Sequence, residues 1–198
     1  MPFPQAVKSI TAFLAIACAF PAWSAWQSVN SDSAIRFISI KKNSIAETHH
    51  FKQFSVRVND SGKVDVEIDL TSVATGIDIR DTRMQEMLFL TDKFPKAVLT
   101  ATLPDGLPGS IVVGEMRQFK MEGKLALHGQ SQVVTLHCAA IKLNDNRLLV
   151  TTTQPALIQA EDFELLDGIG KLQEVAGLDA IASVVPVSFV LTMEQVNK

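Results

Sequence analysis

The histidines are the first residues to consider for chemistry, because imidazole binds metal ions and exchanges protons near neutral pH. His49 and His50 are adjacent, so on a strand they point to opposite faces and could not readily bind one metal ion together. His128 lies beside a turn, and His137 lies within a strand-like segment far from the first pair. The sequence therefore predicts separate histidines and no metal site.

Other motifs that accompany catalysis are also missing from the sequence. The chain contains no HExxH, CxxC, CxxCH, GxSxG or GxGxxG pattern, and its acidic residues form no paired motif. Met84 and Met87 could suggest a copper site, but their spacing fits the apolar stripe of a short helix better. A Ser/His/Asp site assembled from distant residues would leave no signature of this kind. We therefore predict a protein that is not an enzyme and needs no cofactor.

The first 25 residues have the pattern of a secretory signal peptide. Lys8 supplies a positive charge, the uncharged run SITAFLAIACAF follows, and PAWSA offers small residues for cleavage after Ser24 or Ala25. The apolar run is shorter than the roughly 20 residues of a membrane-spanning helix. An N-terminal membrane anchor and a lipid-modified Cys18 are the alternatives. We expect residues 1–25 to be removed and residues 26–198 to form one domain in the periplasm, although such a signal does not distinguish the periplasm from full secretion.

The expected mature chain carries a negative net charge and a single cysteine. Loss of Lys8 changes the formal net charge from −3 to about −4, which does not attract the phosphates of a nucleic acid. The remaining cysteine, Cys138, stands among apolar and small residues in TLHCAAI, which predicts a buried, unreactive thiol. Without a disulfide the domain must be stabilised by a core, and its length is sufficient for one.

Alternating hydrophobic residues predict that most of the domain is β-structure. In VDVEIDL, residues 64–70, the apolar side chains share one face and the acidic side chains share the other. Near the end of the chain, VVPVSFVLTM places five apolar side chains between residues 185 and 193 on one face. Turn sequences such as NDSG and NDNR separate these segments. About eight or nine strands joined in this way predict a sandwich or a closed antiparallel barrel.

Two short helical segments interrupt the strand pattern. In the first, Thr82 and Gln85 fit a capping box beside an apolar stripe that includes Leu88. The second, residues 168–178, carries Leu172 on its apolar side. Helices this short are not stable alone in water, so each must pack on another element. A small closed barrel has two open mouths, and we predict that these helices cover one of them.

The outside of the predicted barrel is expected to face water. Outer-membrane barrels carry girdles of aromatic residues, whereas this chain contains no tyrosine. Asp65, Glu67 and Asp69 also occupy the polar face of one strand. We therefore expect apolar side chains inside the barrel and no stable insertion into a membrane.

An ordered series of segments resembles the YceI-like family of exported bacterial proteins, the lipocalin-like polyisoprenoid-binding domain. The series consists of SAIRFISIKKNSIAETHHF, VDVEIDLTSVATGIDIRDTRMQEMLFLTDKFP, GKLALHGQSQVVTL and PALIQAEDFELLDGIGKLQEVAGLDAIASVVPVSF. Its most specific part is the second segment, in which a strand ending in IDL leads through TG to RD, a short helix and FP. The chain departs from the family at Asp32 and Ser33, where many members have His-Ser, and at Lys41 and Lys42, where many have Lys-His.

The resemblance implies an all-β fold, an eight-stranded antiparallel lipocalin-like barrel around an elongated apolar cavity. Family members bind isoprenoid lipids such as quinones or polyprenyl chains, so the implied partner is a hydrophobic small molecule. The implied function is non-catalytic binding or transport of such a lipid, which agrees with the missing catalytic motifs because burial of an apolar ligand needs no polar constellation. The alternative is a periplasmic stress or interaction protein with a solid core and no lipid ligand.

The strand faces and the two helical segments supply the candidate residues of this pocket. Met84, Leu88 and Phe94 are the leading candidates, because a lid is where a cavity opens. Arg80 and Asp81 are candidates for contact with a polar head group, unless they pair with each other or with the start of the helix. The apolar candidates, each of which would otherwise be core filler, are Phe37, Phe51, Phe54, Val66, Ile68, Met84, Leu88, Phe89, Phe94, Phe163, Leu172 and Phe189.

Overall fold

The computed structural model describes residues 26–196 of the chain. The predicted signal peptide, residues 1–25 with Cys18, lies outside the described residues, as do residues 197 and 198. Within the described range the chain is mainly β-structure, in agreement with the hydrophobic alternation of the sequence.

Twelve strand segments make up one antiparallel sheet in the described part of the chain. Short turns join most of them, and 3-10 turns interrupt the chain between some consecutive segments. The segments are β1 (Trp26–Ser28), β2 (Ala34–Lys41), β3 (Ile45–Phe51), β4 (Phe54–Val58), β5 (Lys63–Asp69), β6 (Val73–Ala74), β7 (Lys96–Thr102), β8 (Met116–Leu127), β9 (Gln130–Asn144), β10 (Arg147–Thr152), β11 (Ala156–Gln159) and β12 (Val184–Gln195).

The sheet closes on itself into a barrel of eight strands. Strand β1 pairs with β12 on one side and with β4 on the other, which completes the ring β1-β4-β5-β7-β8-β9-β10-β12. In the ring, the second half of β12 pairs with β1 and β10. Its first half extends beyond them and pairs with β2 on one side and β11 on the other. Strand β3 then pairs with β2, and the short β6 pairs with β3. The predicted eight-stranded antiparallel barrel is confirmed.

Alternation along the strands determines which side chains face the barrel interior. In β5, Val64, Val66 and Ile68 face inward, as the sequence predicted. The acidic residues between them face outward, where Asp65 and Glu67 form half-exposed ion pairs with neighbouring lysines. In β12, the predicted apolar face from residue 185 to residue 193 also lies inside the barrel. The core of the protein is therefore the barrel interior.

Between residues 26 and 196, two short helices and one π-helical turn lie outside the sheet, which confirms the two predicted helical insertions. They are α1 (Asp78–Arg83), the π-helical turn Met84–Phe89 that continues it, and α2 (Leu166–Val175).

The predicted capping box of the first helical segment is wrong, because the helix begins four residues before Thr82. The Thr82 hydroxyl instead donates to the carbonyl of Asp78 within α1, and the Gln85 side chain donates to the carbonyl of Thr71. The Asp81 carboxylate accepts bonds from the backbone N–H and the hydroxyl of Thr75, which holds the chain just before the helix starts.

The π-helical turn and α2 together form a lid over one mouth of the barrel. Met84 and Phe89 are buried against Phe37, Leu70 and Val73 at this mouth. Burial of these side chains, and not helix propensity, stabilises such short helical pieces. The lid therefore depends on its contact with the barrel beneath it.

Residues 103–115 close the opposite end of the barrel. Strand β7 runs away from the lid and leads into this loop, in which Leu107, Pro108 and Ile111 reach the barrel interior. Ile111 is only 1% exposed, so the loop fills this mouth as a plug. The barrel interior is thus covered at both ends.

Candidate ligand-binding cavity

The barrel contains a cavity of about 260 Å³ that runs between the lid and the plug. Side chains from the sheet form its walls, Met84, Leu88, Phe89 and Ile169 reach it from the lid, and Ile111 reaches it from the plug. A dry apolar cavity of roughly 150 Å³ is already large enough to bind benzene. The interior of this barrel therefore has room for an apolar guest.

The chemistry of the cavity wall is almost entirely apolar. Thr152 supplies the one hydroxyl among the lining residues, and it accepts a bond from the backbone N–H of Phe189. The other lining residues are aliphatic, aromatic, methionine or proline side chains. This wall can bury hydrocarbon and stack on aromatic rings, but it holds no acid, base or nucleophile positioned for catalysis.

Most of the candidate pocket residues lie on this wall. They come from β2, β3, β5, the π-helical turn and β12, which meet inside the barrel. The eight candidates that line the cavity are Phe37, Phe51, Val66, Ile68, Met84, Leu88, Phe89 and Phe189.

Four apolar candidates lie away from the cavity surface. Phe54 is buried in the core cluster of the barrel without reaching the wall. Phe94 packs on the ring of His128 with 4.8 Å between the ring centroids, beside the lid. Phe163 is 1% exposed in a separate cluster with Ala160 and Leu165, and Leu172 packs against the cluster that contains Met84 and Phe89. None of these four side chains borders the cavity.

Arg80 and Asp81, the candidates for head-group contact, neither pair with each other nor line the cavity. The guanidinium of Arg80 lies 2.9 Å from a carboxylate oxygen of Glu47 and donates to the carbonyl of Thr75 at 2.8 Å. Asp81 accepts from the N–H of Thr75 at 2.8 Å. Both side chains therefore hold α1 against the first half of β3 and the segment after β6.

The structure brings Glu47 and His49 together with Arg80, a grouping that the sequence did not indicate. His49 is 2% exposed, and its Nε2 lies 2.8 Å from the hydroxyl of Ser39. Glu47 bridges Arg80 and Lys41, with 2.9 Å between its carboxylate and each cation. We call Ser39, Lys41, Glu47, His49 and Arg80 the polar rim. Four of these residues share a strand face with Phe37 or Phe51, but they are polar, so hydrophobic alternation gives no signal for them.

Burial and neighbouring charges change the acid–base behaviour of the polar rim. Burial lowers the pKa of His49, and the positive charge of Arg80 lowers it further, while Glu47 and Asp81 act in the opposite direction. The hydrogen bond from Lys41 is the main reason that the pKa of Glu47 is lowered. At neutral pH the rim therefore combines a neutral imidazole with an ionised carboxylate.

The lowered pKa of His49 predicts a pH-dependent stability. His49 of the unfolded chain has an ordinary pKa of 6.5, so on acidification the unfolded state takes up this proton first. The free energy of unfolding should then fall as the pH decreases below about 6.5. Glu47 acts in the same direction only below its ordinary pKa of 4.5. A His49→Gln variant should show a flatter decrease between about pH 6.5 and 5 in urea denaturation.

His50→Gln is the matched control for this prediction, because His50 is exposed on the opposite face of β3. It should retain the pH dependence of the wild type. An unchanged slope in His49→Gln would contradict the assignment of this pH dependence to His49.

Three further observations bear on the chemistry of the described residues. Cys138 is fully buried, and burial raises the pKa of its thiol to about 11, so it is unreactive at neutral pH as its neighbours predicted. Residues 26–196 hold no group of three or more His, Cys, Asp or Glu side chains placed to bind a metal ion. None of the helices in this range has the length and hydrophobicity needed to cross a bilayer.

Comparison with solved structures finds the same architecture in other bacterial proteins. A polyisoprenoid binding domain from Saccharophagus degradans is 34% identical, superposes with a TM-score of 0.84, and is matched over 87% of this chain and 99% of its own. BcnA of Burkholderia cenocepacia is 19% identical with a TM-score of 0.63, over 83% of this chain and 98% of its own. The YCEI protein of Campylobacter jejuni is 17% identical with a TM-score of 0.57, over 76% of this chain and 85% of its own, so the last two show the fold alone.

The family assignment rests on the sequence as well as on the fold. No curated protein sequence matches this chain significantly. The YceI-like domain, however, matches residues 26–193, which are nearly all of the residues that form the barrel and its lid. This chain therefore belongs to the YceI-like domain family.

Proposed function

We propose that this protein binds or carries an isoprenoid-like lipid, such as a quinone or a polyprenyl chain, without catalysing a reaction. The observation that carries this proposal is the apolar cavity of about 260 Å³ inside the barrel. A solid interior would instead favour the alternative of a stress or interaction protein. The relative from Saccharophagus degradans is described as a polyisoprenoid binding domain, and its 34% identity with this chain supports extending that ligand class to it.

The energetics of burial suit this function. Transfer of about 500 Å² of apolar ligand surface from water into the barrel would contribute roughly 12 kcal/mol at ~25 cal/mol per Å². Loss of translational freedom and ordering of the flexible chain remove a large part of this gain. The remaining affinity comes from shape and apolar contact alone, so the cavity should accept several related lipids.

The signal-peptide pattern of residues 1–25 supports export to the periplasm as part of the proposal. A carrier there would hold a lipid that is otherwise insoluble in the aqueous compartment. Cell fractionation followed by N-terminal sequencing tests this directly, and we expect a mature chain that begins next to Ser24 or Ala25. A cytoplasmic protein with an intact N-terminus would contradict it.

Extraction of the purified protein tests the proposed ligand class. Organic solvent should release an isoprenoid lipid in roughly stoichiometric amount, identified by mass spectrometry, or the lipid-free protein should take up a quinone or a polyprenol in titration. The function is wrong if the protein yields no such lipid and binds neither compound.

A further inference from the structure

One part of the barrel wall, between β9 and β11, is not joined by strand pairing. Strand β10 pairs with β9 along its whole length, and one further bond runs from the N–H of Thr153 to the carbonyl of His137. The chain then continues as β11, which within the described residues pairs with β12 and not with β9. We call the line where residues 130–136 of β9 face β11 the unpaired boundary. It lies in the half of the barrel next to the lid.

The sequence explains why the pairing stops at this point. In an antiparallel sheet the N–H and C=O groups of alternate residues point to the same side of a strand. After Thr153, the next residue whose N–H would face β9 is Pro155, and proline has no N–H. On β9, Val133 and Thr135 alternate with His137, so their backbone groups face β11, with which no pairing forms. The boundary can therefore widen without breaking a ladder of backbone hydrogen bonds.

Apolar side chains lie on both the inner and the outer side of this boundary. On the outside, Val133 of β9 is 69% exposed and Leu157 of β11 is 63% exposed. On the inside, two residues of each strand line the cavity, namely Val134, Leu136, Ala156 and Ile158. The boundary thus separates the apolar cavity from a patch of exposed apolar surface by the thickness of one sheet.

The wall around the boundary also carries no charged side chain. Residues 130–137, 153–160 and 184–190, which form the adjoining parts of β9, β11 and β12, contain no Asp, Glu, Lys or Arg. Elsewhere the outer surface of the barrel is charged, as at Asp65 and Glu67 of β5. A hydrocarbon chain that crosses the wall here therefore desolvates no charge.

Side-chain contacts hold the two sides of the boundary together. The methyl group of Ala156 packs in one cluster with Leu136 of β9. Towards the lid, the side chain of Gln132 donates to the carbonyl of Asp162 at 3.1 Å, in an exposed position. Nδ1 of His128 lies 3.1 Å from the carbonyl of Phe163. Separation of the two strands therefore gives up a small apolar contact and few hydrogen bonds.

A passage through either mouth of the barrel would need a larger change. Phe89 of the lid is 7% exposed in one cluster with Phe37 and Leu70, and Ile111 of the plug is 1% exposed. These large apolar side chains would have to leave the core before a lipid could pass. The side wall is the easier route.

The spacing of the two strands determines what can pass between them. Cα atoms of β9 and β11 approach to within 8 Å of each other. A strand of another protein inserted between them would hold them about 9.5 Å apart, which is two strand spacings. The boundary therefore has no room for an added peptide strand, whereas a hydrocarbon chain needs only that the facing side chains part.

We propose that the lipid enters and leaves the cavity through the unpaired boundary between β9 and β11, while the lid and the plug stay in place. This inference rests on the proposed lipid-binding function and adds the route by which the ligand exchanges. The tail slides past Val133 and Leu157 into the cavity, and the strands close behind it.

A covalent link across the boundary tests this route. Both native cysteines are replaced by alanine, and Val133→Cys with Leu157→Cys is joined by a short bismaleimide. The probe is a benzoquinone with two isoprene units, whose uptake quenches Trp26 in the cavity wall. The link should slow uptake and release at least about tenfold and leave the Kd within about twofold, because a route affects both rates equally.

The matched control joins β9 to the strand with which it does pair. Val133→Cys with Lys124→Cys places the same link on the outside of β8 and β9, where these two residues are direct partners. This link should change both rates by less than about twofold. Equal slowing by the two links would overturn the proposed route.

Gln132→Ala tests the boundary without a cross-link. Loss of its bond to Asp162 should accelerate uptake and release about threefold at unchanged Kd. Gln118→Ala, an exposed position on β8, should have no effect. Wild-type exchange rates in both the cross-linked protein and Gln132→Ala would overturn the route between β9 and β11. Failure of the wild type to bind the quinone would instead overturn the lipid-binding function itself.

Discussion

Replacement of Ala140 by phenylalanine should weaken lipid binding at least about tenfold while the barrel remains folded. Ala140 lies on β9, is paired with Val150 on β10, and both side chains line the cavity. A benzyl group at this position projects into the hollow and takes space that a ligand tail would occupy. Exclusion of only about 60 Å² of apolar contact costs roughly 1.5 kcal/mol, which is a tenfold change in affinity.

The protein should tolerate this substitution because the added ring enters empty space. Overpacking of a filled core costs about 1–3 kcal/mol, and we expect the free energy of unfolding of Ala140→Phe to decrease by less than about 2 kcal/mol. Val133→Phe is the matched control, since Val133 lies on the same strand with 69% of its surface exposed. Mass spectrometry of bound lipid measures the loss of affinity, and urea denaturation measures the change in the free energy of unfolding. A folded Ala140→Phe protein with wild-type affinity would show that the ligand does not lie in this cavity.

Replacement of Gly168 by alanine should lower the free energy of unfolding by about 2–3 kcal/mol. Gly168 is buried at the contact between α2 and the π-helical turn. A Cβ atom there would lie 2.7 Å from the carbonyl oxygen of Met87 and 2.8 Å from the Cα of Leu88. Both atoms belong to the backbone, so neither can move aside by a side-chain rotation. The π-helical turn and α2 must move apart to accept the methyl group. Leu88 then loses apolar contacts at the cavity wall.

Gly170 provides a close control for this prediction, because it lies two residues further along the same helix and is exposed. A Cβ atom at Gly170 would have no heavy atom within 4 Å. Gly170→Ala should therefore stabilise the protein by up to about 1 kcal/mol through helix propensity alone. Chemical denaturation of both variants measures the difference, and an equal effect of the two substitutions would contradict the close packing at Gly168.

The barrel could be predicted from the sequence because the relevant signals are local. In β5 apolar and charged residues alternate strictly, and in β12 every second residue from 185 to 193 is apolar, which indicates the face that is buried. The same alternation indicates which side chains form the cavity wall, and it is why the sequence predicts Val66, Ile68 and Phe189 as wall residues. Phe94 and Phe163 show the limit of this reasoning, because a large apolar side chain next to a lid can pack beside the mouth as well as over the hollow.

The polar rim could not be predicted because its inward-facing side chains are polar. The sequence showed that His49 and His50 point to opposite faces of a strand, but it did not show which of them faces the interior. That choice follows from the pairing of β3 with β2, which places His49 opposite Phe37. Arg80 reaches the same region from a different part of the chain through its contact with Glu47. Such groupings depend on the three-dimensional arrangement of distant segments.

The seam between β1 and β12 has a consequence for how the chain folds. It joins Trp26 to Gln195, residues from opposite ends of the described chain. Contacts between such distant residues are slow to form because a long loop must close first. Until β12 is in place, β1 and β10 present unpaired edges that can join other chains. A nascent or truncated molecule without its last strand is therefore expected to aggregate, and the lipid can be retained only after that strand has docked.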